Sequence, residues 1–290
     1  MSTNTSIEWT HREGTIPATW NATTGCDRIS AGCDNCYALT MAKRLKAMGQ
    51  AKYQTDGDPR TSGPGFGIAE HLDAVHEPRR WVKPRTVFVN SMSDLFHEGI
   101  SEGFIGSVWD TMAATPQHTY QILTKRPARG RTILNRWARA DWTFRRADSM
   151  WCGPIAGPLA NVWLGTSIES ADHVGRAHHL RQTPAATRFI SAEPLLGSLR
   201  GLDLTGIDWL ILGGESGPGA RGVDLGWFRE LIAMARSAGT AVFVKQLGSG
   251  WASNWYVGGQ PVSRTDKKGG EWAYWPADLR IREYPEVLAS

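Results

Sequence analysis

The chain reads as an α/β protein, a full or partial TIM-like (β/α) barrel of six to seven parallel βα units, and three observations predict this. Short apolar runs alternate with amphipathic segments of helical period between residues 86 and 245. Almost every apolar run ends in a compact polar cluster. The chain has 290 residues, 41% of them hydrophobic and 21% charged, which is enough to bury a full core. An open doubly wound sheet is the second architecture compatible with the same alternation.

The units are read in order. Residues 6–10 and 18–21 are short strand-like pieces separated by His11 to Pro17, and they lead into a turn-rich loop. Residues 38–48 follow with good helix formers and no Pro. The stretch 50–85 holds Gly57, Pro59, Gly63, Pro64, Gly65, Gly67, Pro78 and Pro84, so it is expected to be an irregular insertion. Strands are then predicted at 86–90, 120–124, 161–165, 188–191, 209–213 and 241–245. The helices between them fall at 102–114, 129–140, 171–181 and 225–238, the last with Trp227, Phe228, Leu231, Ile232 and Ala235 on one stripe. The barrel domain is thus 1–248. Residues 249–290 form an irregular C-terminal extension with Trp251, Trp255, Trp272 and Trp275, in which Gly258-Gly259 and Lys267-Lys268-Gly269-Gly270 read as hairpin turns. Fourteen tryptophans are more than such a core ordinarily uses, so some are expected to line a binding surface.

The loop at 26–37 carries Cys26, Cys33 and Cys36, spaced by six and two residues, and only Cys152 lies elsewhere. Thiolates are soft ligands for iron–sulfur clusters and zinc, and Ser30, Ala31 and Gly32 are small enough to let backbone wrap a metal. Three thiolates leave one coordination position open, as in radical S-adenosylmethionine (SAM) enzymes, whose 4Fe-4S cluster has one unligated iron. The alternative is zinc, with Cys152 or a histidine as fourth ligand. Four cysteines in 290 residues, with no apolar signal-peptide core and no transmembrane run, indicate a reducing cytoplasm, no disulfide scaffold and no membrane partner.

The polar strand ends are Asn90-Ser91-Met92-Ser93-Asp94, Thr124-Lys125-Arg126, Thr166-Ser167-Ile168-Glu169, Ser191-Ala192-Glu193-Pro194, Gly213-Gly214-Glu215-Ser216-Gly217 and Lys245-Gln246. In βα barrels the chemistry sits at these ends, so their side chains are expected to converge facing the cysteine loop. Some of them, Ser91, Ser93 and Asp94 among them, are also ordinary helix caps. His97 is a candidate proton donor, although a histidine at a helix start is more often structural.

Charge is concentrated after the third strand. Lys125, Arg126, Arg129, Arg131, Arg136, Arg139, Arg145 and Arg146 fall within 22 residues, interleaved with Trp137, Trp142 and Phe144 and opposed only by Asp141. Arginines neutralise phosphates and aromatic rings stack on extruded bases, so Arg126, Arg129, Arg136, Trp137 and Arg139 are candidate nucleic-acid contacts. The bland alternative is a solvated helix face, and the net charge of +4 does not choose.

Taken together, Gly25-Cys26 through Tyr37, Asn90 to His97, Leu123-Thr124-Lys125-Arg126-Pro127, Ser191 to Leu196, Gly213 to Gly217 and Lys245-Gln246-Leu247-Gly248 resemble the three-Cys-motif proteins of phages and prophages. The resemblance covers about residues 20–248. The lengthened opening at His11 to Pro17 and the C-terminal tail depart from the pattern. The resemblance implies a radical SAM-like enzyme, in some relatives tied to modifying or isomerising bases of phage DNA, located in the host cytoplasm if phage-encoded. Its cofactors would be a 4Fe-4S cluster on Cys26, Cys33 and Cys36 and SAM, served by an external electron donor.

Strand order then places Asp94 or Ser91 at the methionine amine of SAM, Lys125 at its carboxylate and Ser167 or Glu169 at the ribose hydroxyls. Asp94, Lys125, Glu193 and Glu215 are the candidate catalytic side chains. Gly213-Gly214-Glu215 looks like the radical SAM motif that binds the methionine amine, but it falls four strands too late and reads as a tight turn presenting Glu215. Two other classes compete: a zinc-stabilised nucleic-acid-binding protein, and a metal-free hydrolase using Asp94, Glu169, Glu193 or Glu215 as acid and base.

Overall fold

A computed structural model describes residues 5–155 and 157–286. Seven strands form the main sheet: β1 (Ile16–Trp20), β2 (Arg85–Val89), β3 (Thr119–Thr124), β4 (Val162–Ser167), β5 (Thr187–Ala192), β6 (Trp209–Gly213) and β7 (Ala241–Gln246). They are ordered β1-β2-β3-β4-β5-β6-β7, and β1–β2–β3 and β5–β6–β7 pair in parallel. Sequential parallel order is what a series of βα units produces. A doubly wound sheet would reverse its order at a switch point, so that alternative is set aside. The apolar runs work as expected of parallel strands covered on both faces: every residue of β6 and of β4 is buried.

The helices between strands are α1 (Tyr37–Ala47), α2 (Glu102–Ala113), α3 (Pro127–Arg139), α4 (Gly175–Arg181) and α5 (Leu225–Ala238). Their ends follow from local chemistry. The Ser101 hydroxyl caps α2 by accepting from Phe104 N at 3.2 Å, Pro127 opens α3 where no N–H is needed, and Asp224 and the left-handed Gly239 (φ 71°) bound α5. The helix expected at 171–181 starts as a 3-10 turn at Ala171–His173 and becomes α-helical only at Gly175.

The chain divides into two compact units. The first comprises Met1–Ile29, Cys36–Gly165 and Gln182–Thr187; the second comprises Ser30–Asn35, Thr166–Arg181 and Arg188–Ser290. In the first unit, residues 8–10 form a 3-10 turn, not the expected strand, because Thr10 Oγ1 donates back to Ile7 O at 2.7 Å and Trp9 packs on Phe88 at 4.7 Å. The stretch 50–85, expected to be irregular, carries short elements, 3-10 turns at Ala51–Tyr53 and Glu77–Arg80 and a one-turn helix at Leu72–Val75, and it is anchored. Thr23–Thr24 pairs antiparallel with Ala69–Glu70. At Gly25 (φ +83°) a Cβ would lie 2.2 Å from Gly67 O, so the residue before Cys26 has to be glycine.

In the second unit the tail is bound to the sheet edge. Val244 N donates to Ile281 O and Glu283 N to Val242 O, both at 2.8 Å, which covers the outer edge of β7. Gly258-Gly259 does turn a two-residue hairpin, Tyr256–Val257 against Gln260–Pro261, whereas residues 267–269 make a turn without flanking strands. Most tryptophans serve the core and not a surface: Trp9, Trp20, Trp109, Trp137, Trp142, Trp163, Trp209, Trp251 and Trp275 are all buried. Among the described residues no helix is long and apolar enough to cross a membrane.

Candidate functional site

In the first unit the site is built from the ends of β2 and β3 and the start of the cysteine loop. Asp94, 5% exposed, accepts from Thr124 Oγ1 (2.7 Å) and Phe96 N (3.0 Å) on one oxygen, and from Lys125 N (3.1 Å) and Arg126 Nη1 (3.3 Å) on the other. The carboxylate therefore fixes two strand ends and aims one guanidinium. Arg126 Nη1 also donates to Cys26 Sγ at 3.4 Å and Nη2 to Asp27 O at 3.4 Å. Burial works against the charge on Arg126, but Asp94 and Cys26 outweigh it and raise its pKa.

Next to Cys26, Asp27 is held by its neighbours. Its Oδ1 accepts from Thr61 and Ser62 hydroxyls, and its Oδ2 meets His97 Nε2 at 3.1 Å. The Thr61 bond leads in holding the Asp27 carboxyl below its usual range. Gly99 N donates to His97 Nδ1 at 3.0 Å, which assigns the proton to Nε2 and makes His97 the donor to Asp27. Burial, then Arg126, lowers the His97 pKa, which favours the neutral form of the ring. Cys26 and Cys36 both pack against one apolar cluster of Ala38, Ala42, Tyr53, Phe66 and Met92. Ser91 shares its hydroxyl with the Asn21 side chain at 3.2 Å.

In the second unit the ends of β4, β5, β6 and β7 carry three acid–base pairs. Glu169, fully buried, accepts from Arg176 Nη1 at 2.9 Å, with His173 Nε2 at 3.6 Å. Arg176 Nη1 also donates to Ser167 O at 2.9 Å. Gly32 lies against this carboxylate: a Cβ there would be 3.1 Å from Glu169 Cδ. Glu193 accepts from Lys245 Nζ at 2.7 Å and from Gln246 Nε2 at 3.4 Å, and Gly213 leaves the room it needs. Glu215 is 5% exposed and is bound by Arg221 through its backbone N (2.8 Å), Nε (2.9 Å) and Nη2, and by Asn35 Nδ2 (3.0 Å). Burial raises the Glu215 pKa, but the bonds from Arg221 and Asn35 outweigh it, and the carboxyl stays below its ordinary value.

Strand-end acids thus meet the cysteine stretch within each unit: Asp94 through Arg126 in the first, Glu169 and Glu215 directly in the second. Arg221, Asn35, Arg176 and Asp27 are not among the candidates that the sequence offers, and His97 is one whose partner it does not give. Nothing in the Cys33-Asp34-Asn35-Cys36 motif signals that Asn35 reaches a residue 180 positions away.

The basic segment differs from the expectation. Trp137 is 3% exposed, stacks on Phe144 at 4.4 Å and donates to Glu102 Oε1 at 3.0 Å, so its ring faces the core and is not offered to a base. Trp142 and Phe144 are buried as well. Arg129 donates to His97 O and Ile100 O at 2.5 and 2.6 Å and so ties α3 to the loop after β2. Arg136 pairs with Glu102 at 2.9 Å, and Arg146 with Asp110 and Asp148. The helix is amphipathic, and its aromatic stripe is the buried one.

All four cysteines are free and half-buried. Among the described residues no group of three or more His, Cys, Asp or Glu side chains is gathered to hold a metal ion. The chemistry of the donors still fits a thiolate-bound centre: three soft ligands in one stretch, one of them under a guanidinium. Cys152 does not share that environment. Its thiol donates to Asp110 Oδ1 at 2.9 Å, and burial followed by Asp110 pushes its pKa up to about 11, the wrong direction for a metal ligand.

A family described as "Protein of unknown function (DUF5131)" matches residues 4–275. No curated protein and no solved structure matches the chain.

Proposed function

We propose that this chain, which belongs to the DUF5131 family of proteins of unknown function, is a radical SAM-like enzyme built on a partial TIM-like (β/α) barrel. In this reading Cys26, Cys33 and Cys36 hold a 4Fe-4S cluster, and SAM takes the open position. The observation that carries it is Cys152. A four-thiolate zinc site needs that sulfur deprotonated, yet it donates to Asp110 Oδ1, and burial followed by Asp110 raises its pKa. Without Cys152 the cysteine stretch offers three thiols, the number that a cluster with one open iron uses, and this supports a cluster over a four-thiolate zinc site.

When bound, such a cluster with SAM supplies one electron that cleaves a carbon–sulfur bond of the sulfonium and leads to removal of a substrate hydrogen. The chain's own work is orientation. Asp94 fixes Arg126, and Arg126 offsets negative charge at Cys26. Both Asp94 oxygens are occupied by the chain, so we assign it to positioning. The SAM carboxylate is left to Lys125 and, of Ser167 or Glu169, the ribose to Ser167 at the end of β4, since Glu169 is fully buried against Arg176. Glu193 is the most exposed of the three strand-end acids in the second unit, with its side chain 19% exposed against 0% for Glu169 and 5% for Glu215. We assign Glu193 and its partner Lys245 to the substrate side, while Glu215, whose carboxylate is taken up by Arg221 and Asn35, serves positioning. The substrate class is a nucleobase in DNA, supported by the resemblance and by the exposed guanidinium groups of Arg136 and Arg139. An external reductant supplies the electron.

Anaerobic reconstitution tests the reading. Wild type should bind about four irons and sulfides and absorb broadly near ~400 nm. Cys26→Ala, Cys33→Ala and Cys36→Ala should each lose the cluster, and Cys152→Ala should keep it. A colourless protein with one zinc overturns the proposal, whether Cys152 or a histidine completes the site.

A further inference from the structure

We infer that Arg221 and Glu215 are positioning residues that clamp the segment of the cysteine stretch carrying Cys33; the consequence for the cluster rests on the proposed function, the clamp itself does not. The segment Ser30–Asn35 belongs to the same compact unit as both residues. Its 3-10 turn, Ala31–Cys33, buries none of its residues, so apolar burial does not hold it. Polar bonds do.

Arg221 Nη2 donates to Ala31 O at 2.9 Å, and its Nη1 lies 3.6 Å from Asp34 Oδ2. Asn35 Nδ2 donates to Glu215 Oε2 at 3.0 Å and to Gly219 O at 3.3 Å. Residues 31, 34 and 35 are therefore tied on both sides of Cys33. The anchor of these ties is rigid. Glu215 closely follows β6, its side chain is 5% exposed, and its backbone O accepts from Ser249 N at 2.8 Å. Arg221, by contrast, lies in an irregular stretch between β6 and α5, and its guanidinium is fixed because Glu215 accepts from Arg221 at three nitrogens. A planar fork that binds a carboxylate on one side and a carbonyl on the other cannot be reproduced by lysine. Gly32 completes the seat by lying close against the Glu169 side chain, where a Cβ would come within 3.1 Å of Glu169 Cδ.

The function of such a clamp is preorganisation: a loop already shaped for its ligand loses less entropy when it binds. The amides of Cys33 and Asp34, bonded to Ser30 O and Ala31 O at 2.9 and 3.3 Å, report on it directly. In the full-length apoprotein, Arg221→Ala should raise hydrogen exchange at these two amides by about tenfold while exchange in β6 and β7 stays unchanged. Arg221→Lys should restore the protection only in part. After anaerobic reconstitution, Arg221→Ala should retain less iron and show an altered, broadened EPR signal of the reduced cluster, and the lysine variant should lie between. If Arg221→Ala does not fold, the graded response of Arg221→Lys and Glu215→Gln carries the same test.

Exchange and EPR signals identical to wild type in the folded variants overturn the clamp and leave the enzyme reading intact. A wild type that takes up no iron overturns the enzyme reading, and the exchange measurement on the apoprotein still decides the clamp.

Discussion

The carboxylates after the strands and the guanidinium groups of α3 sit in different surroundings. Asp94, Glu169 and Glu215 are 5%, 0% and 5% exposed, and each has cationic or multiple hydrogen-bonding partners fixed by the fold. Arg136 is 57% exposed and faces a Glu102 that is itself 36% exposed. Removing a charge from water costs several kcal/mol unless partners are prearranged, whereas an exposed pair contributes little in either direction. Buried, fully partnered charge at strand ends therefore marks places where the fold is committed to a particular electrostatic arrangement. Exposed charge on a helix carries no such mark, however densely it is written in the sequence.

The largest test of that contrast is Asp94→Ala. It leaves Arg126 buried beside Cys26 without its carboxylate and releases the Thr124 hydroxyl and two backbone N–H groups. We expect a loss of about 3–5 kcal/mol in denaturant unfolding. A loss below about 1 kcal/mol, the range of a surface pair, would erase the distinction between the two regions.

A smaller effect sharpens the rule by showing what happens to a buried ionisable group whose charge its surroundings oppose. His118 is 1% exposed in the first unit, with Nε2 at 3.3 Å from Pro78 O. Burial leads in lowering its pKa below the ordinary value of 6.5. The unfolded chain therefore binds a proton near pH 6.5 that the folded chain refuses. This contribution to stability is complete above that pH and is lost as pH falls through the folded pKa. Wild type should lose stability more steeply than His118→Gln as pH falls from neutral through 6.5 toward the lower folded-state pKa. Parallel pH profiles for the two proteins would show that the ring accepts its charge in place.

How much of this was legible beforehand depends on the range over which the information is stored. β6, Trp-Leu-Ile-Leu-Gly, could be read directly, because a run buried on both faces needs no partner to declare itself. Residues 8–10 could not, since an apolar-polar alternation of that length is equally a 3-10 turn, and the packing of Trp9 on Phe88 decides it. Asp94, Glu169 and Glu215 stood out because each follows an apolar strand within a few residues. Arg126 is visible as charge, but a run of neighbouring arginines hides its true partners: Cys26 and Asp94 lie 100 and 32 positions away. Arg221 gives no signal at all, sitting among glycines where a lone arginine usually means solvent. Trp137 misleads for a simpler reason. A tryptophan between arginines has the same sequence signature whether the helix turns its aromatic stripe outward to a base or inward to Phe144.

The smallest expected change in stability is at the exposed arginines, and it separates a fold role from a binding role. Arg136→Ala with Arg139→Ala should shift unfolding free energy by no more than about 0.5 kcal/mol, because neither guanidinium is buried and the pair with Glu102 is open to water. If α3 nonetheless meets DNA, the same double variant should weaken binding equally for unrelated sequences. The slope of log affinity against log salt should then fall by up to about 2, roughly one unit for each phosphate that is no longer neutralised. Base stacking by Trp137 is not expected to contribute, since its ring is packed on Phe144 at 4.4 Å. Measuring affinity for a fixed duplex and for single-stranded DNA between low and physiological salt gives both the affinity and the slope from one titration series. An unchanged slope, with stability also unchanged, would mean that α3 is a solvated face and nothing more, and would remove the structural support for a polymeric substrate while leaving the cysteine chemistry to be judged by iron and sulfide.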